Sequence, residues 1–179
     1  MSRPSEWSAS IVSFLPDGSD LRVDATGIRA PIGLVYFPGT EDLFVTMNQR
    51  DDLAEDTPGD GLAVVEEGQD WGFPDCYGQG GAVCDGVPEP VAVFDEHAAA
   101  SGVAIVTGEL GDSVGTAAVV AEWAEGTVKV VRLDAVGATY TGDVETLLTG
   151  FENPVPVILD PDGALLVGDW TTGTVYRIT

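Results

Sequence analysis

The sequence predicts an all-β chain built from repeated blades, and three observations lead to this prediction. Helical periodicity is weak, whereas short apolar runs bounded by Gly, Pro, Asp and Asn recur along all 179 residues. Two kinds of segment alternate in order along the chain. They recur about every 50 to 70 residues, near the ~40 to 50 of known blade repeats once loops are allowed for. We therefore expect a β-propeller of about three four-stranded blades, part of a six-bladed ring.

The first kind of segment has an apolar strand, a turn and a second apolar strand, and it occurs at 33–48, 102–123 and 155–170. We interpret each as the inner strand pair of a blade. The innermost strand should pack on both faces, which requires bulky apolar side chains. The residues expected there are Leu34, Val35, Ile105, Val157 and Ile158.

The second kind of segment places a polar turn between strands of period-two alternation, as expected of outer strands with one wet face. It occurs at 10–28, 126–151 and 173–179. The expected organisation is one partial propeller domain over 1–179, with outer strands at 8–28 and blades at 31–94, 102–151 and 154–179. Three blades would leave two apolar blade faces open to water. Either a second copy closes the ring as a homodimer, or the chain is cut from a longer parent.

Composition limits the partners. The chain has 30 Asp plus Glu against 7 Lys plus Arg, a net charge of -23. Such a surface repels nucleic acid and anionic membranes, so neither is an expected partner. A solvated surface would account for the acidity, and adaptation to high salt is a more specific explanation. We find no apolar signal segment and no run long enough to span a membrane, whereas Cys76 and Cys84 could form a disulfide or stay as free thiols. The compartment therefore stays open.

Six motifs in order resemble a known family. They are GIRAPIGL at 27–34, NQRDDL at 48–53, DWGFPDCYG at 70–78, HAAASGVAIVTG at 97–108, VKVVRL at 128–133 and PDGALLVGDWTTGTVYRI at 161–178. Together they resemble the carboxy-terminal half of the glucose/sorbosone dehydrogenases, six-bladed propellers that use pyrroloquinoline quinone and calcium. The family is usually extracytoplasmic. The resemblance implies oxidation of a sugar carbinol or aldehyde with a quinone cofactor, once further blades complete the ring.

The resemblance also implies site residues. Arg29 matches a family arginine that reaches the quinone, whereas Ala30 and Ile32 replace the family's Asn and Gln. The backbone carbonyls of Asn48 and Gln49 fall where the family holds calcium, although a solvated acidic loop is the alternative there. Lys129 aligns with a family lysine that could pair with the quinone, and a plain strand-face charge is its alternative.

A catalytic residue is harder to assign. His97 is the only histidine, so an imidazole base within this chain could only be His97. The family's catalytic histidine, however, lies upstream of the part that this chain resembles. Whether the chain is an enzyme therefore stays open. The alternative function is a degenerate, non-catalytic propeller fragment that acts as a binding or assembly module.

Overall fold

The computed structural model describes residue 5 and residues 7–137 and 139–179. The residues outside this description are 1–4, 6 and Ala138. Residues 1–4 and 6 belong to the amino-terminal segment in which the sequence predicts no export signal, and Ala138 belongs to the expected blade at 102–151. The described part contains thirteen strands and two short 3-10 helices, Ala54–Asp56 and Ala82–Cys84. The strands are β1 (Ile11–Ser13), β2 (Arg22–Ala25), β3 (Pro31–Tyr36), β4 (Leu43–Met47), β5 (Gly61–Val65), β6 (Ala92–Val93), β7 (Ala100–Thr107), β8 (Thr116–Glu122), β9 (Thr127–Val136), β10 (Thr139–Thr149), β11 (Pro154–Leu159), β12 (Leu165–Asp169) and β13 (Thr174–Ile178).

These strands form four antiparallel sheets that follow one another along the chain. The first blade has the order β3-β4-β5-β6, the second β10-β9-β8-β7 and the third β11-β12-β13, while β1 and β2 form a separate pair. Strand β7 contacts β3 on one side and β11 on the other, so the innermost strands lie side by side. This arrangement confirms the predicted fold class, an all-β partial propeller.

The innermost strands share an irregularity that lets neighbouring blades approach closely. Each has a register shift near its start, between Pro31 and Leu34, between Ala100 and Val103, and between Pro154 and Val157. In the first two blades a glycine occupies this bulge, and a Cβ added there would overlap a backbone carbonyl of the next blade. These glycines are Gly33 and Gly102. Because glycine has no side chain, Gly33 and Gly102 allow neighbouring blades to approach closely.

Three hydrophobic clusters fill the spaces between sheets. One lies between the first and second blades around Phe44 and Ile105, and another between the second and third around Val119 and Val157. The third lies between the β1–β2 pair and the first blade, around Val45. Each blade interface is therefore a separate core, as expected of a repeat in which each unit buries the face of its neighbour.

Two of the residues expected to be packed on both sides are not. Leu34 is 50% exposed and Ile158 is 55% exposed, whereas Ile105 and Val157 are buried. The reason is position. Ile105 lies in the middle blade, and Val157 points towards it. Leu34 and Ile158 point away from the middle blade at the two ends of the partial ring, where no described sheet covers the innermost strand.

The long excursion between β5 and β6 carries the two cysteines. Cys76 and Cys84 form a disulfide, with their Cα atoms 5.2 Å apart, which decides between the two alternatives left by the sequence. Among the described residues, no helix combines the length and the apolar character needed to cross a membrane.

Candidate functional site at the loop end

Most of the residues singled out from the sequence lie at one end of the blades. We call it the loop end: there β4 leads into β5, β8 into β9 and β12 into β13. Arg29 precedes β3, Asn48 and Gln49 follow β4, and His97 precedes β7. The antiparallel order of the sheets brings these segments to one end, because each innermost strand begins where the second strand stops.

Arg29 is held by the carbonyls that the sequence suggested for calcium. Its Nη1 atom donates to the carbonyl oxygen of Asn48 at 2.6 Å and also to that of Gln49. The loop itself is fixed, since the Asn48 side chain donates to the Ala100 carbonyl at 2.6 Å. In addition, the Gln49 N–H donates to the Asp60 carboxylate at 2.7 Å. The Arg29 guanidinium therefore occupies the position in which a cation would interact most favourably with these two carbonyl oxygens.

This geometry does not fit calcium. Calcium needs six to eight oxygen ligands, and like charges at contact distance repel strongly outside bulk water. The two candidate carbonyls already face a guanidinium. Among the described residues, no group of three or more His, Cys, Asp or Glu side chains is placed to hold a metal ion.

The contacts available to a quinone with three carboxylates are few. Arg29 keeps Nε and Nη2, which have no acceptor among the described residues, so it fits one carboxylate in a bidentate contact. Ala30 and Ile32, at the positions of the family's amide side chains, are exposed and offer no side-chain hydrogen bond. This chain thus supplies one good cofactor contact.

Lys129 is not brought together with Arg29. It lies in β9, the third strand of its blade, and its side chain is only 12% exposed. Its Nζ atom is 3.4 Å from both Glu122 Oε2 and Asp95 Oδ2, and 3.2 Å from the Thr146 hydroxyl. Lys129 therefore forms an ion pair with the buried carboxylate of Glu122, as a residue with a structural role would.

His97 lies on the surface of the loop end. Its side chain is half exposed, and Nδ1 is 3.6 Å from a carboxylate oxygen of Asp51. The backbone of His97 has φ 60°, a left-handed conformation that few residues other than glycine adopt. The distance from Nδ1 to Asp51 is longer than a hydrogen bond, so the Asp51 carboxylate lies near the imidazole without fixing the orientation of the ring. His97 thus lies at the same end of the blades as Arg29, on an exposed surface.

Three buried acidic residues lie at the loop end: Asp60, which the sequence places in the acidic segment after Gln49, and Glu122 and Asp169, which were not singled out from the sequence. Asp60 accepts from the Ala100 N–H at 2.9 Å and so joins the first blade to the second. Asp169 accepts from the Glu152 N–H at 2.7 Å, and Glu122 accepts from the Thr127 hydroxyl at 2.7 Å. Burial raises the pKa of Glu122, against the lowering effects of Thr127 and Lys129, and burial also raises the pKa of Asp60.

A repeated motif marks two of these acids. The sequences EWAEGTV at 122–128 and DWTTGTV at 169–175 share an acid, Trp, two variable residues and Gly-Thr-Val. In both, the acid ends the second strand of a blade and the Thr begins the third. This internal repeat was a signal that could have identified Glu122 and Asp169 as structural positions. Lys129 then corresponds to Tyr176 of the next blade, which makes it a variable position within the repeat.

Taken together, the fold and the loop end define a partial β-propeller with polar residues gathered at one end of its blades. Neither protein-family models nor curated proteins give a match to the chain. Solved structures do. The PQQ-bound aldose sugar dehydrogenase from Streptomyces coelicolor is similar with a TM-score of 0.68 and 22% identity, over 94% of this chain and 50% of that one.

Two other solved structures give the same result. A putative oxidoreductase (glucose dehydrogenase) from Thermus thermophilus has a TM-score of 0.67 and 24% identity, over 81% of this chain and 40% of that one. The soluble aldose sugar dehydrogenase from Escherichia coli has a TM-score of 0.64 and 22% identity, over 85% and 45%. At these identities the likeness shows the fold, that of sugar dehydrogenase propellers. The chain spans about half the length of each of these proteins.

Proposed function

We propose that this chain is one half of an oxidoreductase propeller of the sugar dehydrogenase type, and that a second copy completes the ring. The observation that carries this proposal is the pair of open blade faces. On the first blade, Leu34 and Tyr36 are 50% and 60% exposed on one face of β3. On the third blade, Ile158 and Val175 are 55% and 69% exposed. These exposed side chains lie at the two ends of the partial ring. The β1–β2 pair covers the part of the first blade around Val45 and leaves the innermost strand β3 exposed.

A second copy suits these faces in number and in position. The chain covers half of the Streptomyces dehydrogenase, so two copies supply about its full length. A two-fold axis would place the third blade of each copy against the first blade of the other, which closes the ring without unpaired ends. Both interfaces would then bury the same set of apolar side chains.

The energy of this closure is modest. Finishing the burial of a half-exposed apolar or aromatic side chain gains about 1 kcal/mol, so the four residues above, used twice, contribute on the order of 8 kcal/mol. Association costs roughly 4 to 15 kcal/mol of lost freedom. Two chains of net charge -23 also repel each other. We therefore expect assembly to strengthen with salt, which screens the repulsion while leaving apolar burial intact.

Light scattering across a salt series tests the assembly. The expected mass rises from the 18.6 kDa of one chain to twice that value as salt increases. Ile158→Asp should prevent the increase, whereas Val136→Asp, an exposed valine at the tip of the β9–β10 hairpin, should not. A well-folded chain that stays monomeric at every salt concentration would refute the homodimer. Larger, open-ended assemblies would refute the two-fold arrangement.

Sugar oxidation is the activity that we propose for the completed ring. The quinone, when bound, would accept the equivalent of a hydride from a sugar carbinol or aldehyde. From this chain, Arg29 would hold one carboxylate of the cofactor, and His97 would take the hydroxyl proton of the sugar. A dye-reduction assay with several aldoses, with and without added quinone, tests this. His97→Gln should abolish dye reduction while the mass of the assembly stays the same.

The second candidate is a propeller that binds or assembles without catalysis. Two observations favour it. Arg29 Nη1 donates to two backbone carbonyls, and Lys129 forms an ion pair with Glu122, so both cations already have partners within the chain. Under this candidate, the dimer forms but no dye is reduced and no quinone absorbance remains after gel filtration. The mass and the dye assay together therefore distinguish the two functions.

A further inference from the structure

All three blades repeat one backbone contact at the loop end. In each blade, the first residue after the second strand donates its N–H to the carbonyl of the residue before the innermost strand. The pairs are Asn48 with Ala30, Trp123 with Ala99 and Trp170 with Asn153, at 3.3, 3.1 and 2.9 Å. The strand registers give the same alignment of the blades. Asn48, Trp123 and Trp170 are therefore equivalent positions.

This position contacts the following blade at both junctions between described blades. From the first blade to the second, the Asn48 side chain donates to the Ala100 carbonyl at 2.6 Å. From the second blade to the third, the Trp123 carbonyl accepts from the side chain of Asn153 at 2.9 Å. In each case the contact falls at the start of the next innermost strand. The residue after the second strand is thus a junction residue.

The two tryptophans differ in exposure because only one of them has a following blade. Trp123 is 38% exposed, whereas Trp170, at the same position of the last described blade, is 71% exposed. The other end of the partial ring shows the matching difference. Ile32, the second residue of β3, is 52% exposed, whereas Ser101, the second residue of β7, is buried against the first blade. Trp170 and the start of β3 are therefore the two halves of one unfilled junction.

We propose that Trp170 of one copy packs on Ala30, Pro31 and Ile32 of the other copy when the ring closes. This inference rests on the proposed two-copy ring and names the contact that closes it. By the equivalence above, Ala30 and Pro31 take the places of the residues that the earlier blades contact. Ala30 and Ile32 are exposed and apolar, so they suit the face of an indole. Because Arg29 precedes Ala30, each copy supplies a tryptophan beside the loop-end arginine of the other.

One difference from the internal junctions favours a large side chain here. The bulges of the first two innermost strands contain Gly33 and Gly102, which allow close approach, whereas the third contains the exposed Pro156. A proline ring keeps the next strand farther away than a glycine hydrogen does. The closing junction must therefore be bridged by longer side chains, and tryptophan is the largest.

Tryptophan fluorescence, recorded with the mass from light scattering, tests the proposal. As salt drives assembly, the Trp170 indole should leave water and its emission should move to shorter wavelength. Trp170→Phe should remove this movement, whereas Trp7→Phe, which replaces another exposed tryptophan, should retain it. A doubled mass with unchanged emission would overturn the contact and leave the two-copy ring standing. A monomer at every salt concentration would overturn both.

Cross-linking identifies the two surfaces that meet. Chains with Ile32→Cys and chains with Trp170→Cys, mixed at high salt with a short bismaleimide, should give a product of twice the mass of one chain. The native cysteines form a disulfide and do not react. Neither variant alone should cross-link, since the ring brings position 170 to position 32. Val136→Cys with Ile32→Cys is the control mixture, because Val136 lies at a hairpin tip. Equal yields in both mixtures would contradict the contact.

The affinity of the two copies gives a third measurement. Bringing Trp170 to the exposure of Trp123 covers about a third of its surface, which changes the affinity about tenfold at each of two junctions. Trp170→Ala should therefore weaken dimerisation by about a hundredfold. The fold of the single chain should be unaffected, because Trp170 is exposed there. Val136→Ala should leave the affinity unchanged. A change below about threefold for Trp170→Ala would refute the contact.

Discussion

Removing Lys129 tests whether its charge serves the fold. Lys129 neutralises Glu122, which is fully buried, and both its partners and its low exposure point to an ion pair within the blade. Deleting one partner of a buried ion pair costs about 3 to 5 kcal/mol, because the other charge remains buried without compensation. Lys129→Met should therefore destabilise the protein by roughly 3 kcal/mol at pH 8.

The pKa of Glu122 determines how the stability loss in Lys129→Met should change with pH. Burial raises the pKa of Glu122, so protonation of this carboxyl stabilises the fold at low pH, and that stability is lost as pH rises through the folded-state pKa. In Lys129→Met, protonation of the Glu122 carboxyl removes the free-energy cost of a buried, unpaired charge. Protonating this carboxyl at pH 5 costs about 1 kcal/mol, since the unfolded-state pKa is about 4.3. The loss at pH 5 should thus be about 1 kcal/mol, well below the loss at pH 8.

Urea unfolding at both pH values, at one protein concentration and one salt concentration, measures these losses. Arg132→Met is the matched control, because Arg132 lies on the same strand and pairs with Glu145 at 2.6 Å on the exposed surface. It should cost at most about 1 kcal/mol at either pH. The double variant Lys129→Met with Glu122→Gln should recover most of the stability. A loss for Lys129→Met that is below about 0.5 kcal/mol, or equal at both pH values, would refute the structural role.

Three further predictions concern other parts of the chain. The hydroxyl of Tyr140 donates to Asp42 at 2.7 Å, which raises the pKa of Tyr140 to about 12. Stability from this bond is complete below about pH 10 and is lost as pH rises to about 12, and Asp42→Asn should return the tyrosinate absorbance titration towards pH ~10. Gly33→Ala should cost about 1 to 3 kcal/mol in urea unfolding because its Cβ would overlap a carbonyl of the next blade. Gly61→Ala, with its nearest neighbour at 3.4 Å, should cost less. Because Arg29 occupies the two carbonyls, calcium should raise the melting temperature no more than magnesium at equal ionic strength, and a calcium-specific increase would contradict this.

The strand pattern was readable from the sequence because it depends on local chemistry. The segment 33–48 contains most of β3 and all of β4, and 155–170 contains most of β11 and all of β12, each with turn residues between two apolar runs. The repeat then favoured blades, since a unit with two apolar faces must stack on its neighbours. What the sequence pattern missed was the effect of position in the ring. Leu34 and Ile105 look alike as innermost-strand residues, but only Ile105 has a blade on both sides.

The candidate site was less predictable because its contacts join distant parts of the chain. The sequence predicted Arg29 as a cofactor contact, and no local pattern shows that its guanidinium reaches the carbonyls of residues 48 and 49. Likewise, the motif around Lys129 could not show that Glu122, seven residues earlier, is fully buried beneath it.

The open ends of the partial ring limit what one chain can do alone. An oxidation site on the axis requires residues from blades beyond the three described, because the innermost strands β3 and β11 each lack a neighbour on one side among the described residues. Ile158→Asp, which should keep the chain monomeric, therefore ought to abolish dye reduction while the chain stays folded. Dye reduction by a folded Ile158→Asp monomer would show that one chain is sufficient for the reaction, and ring closure would then not be needed for activity.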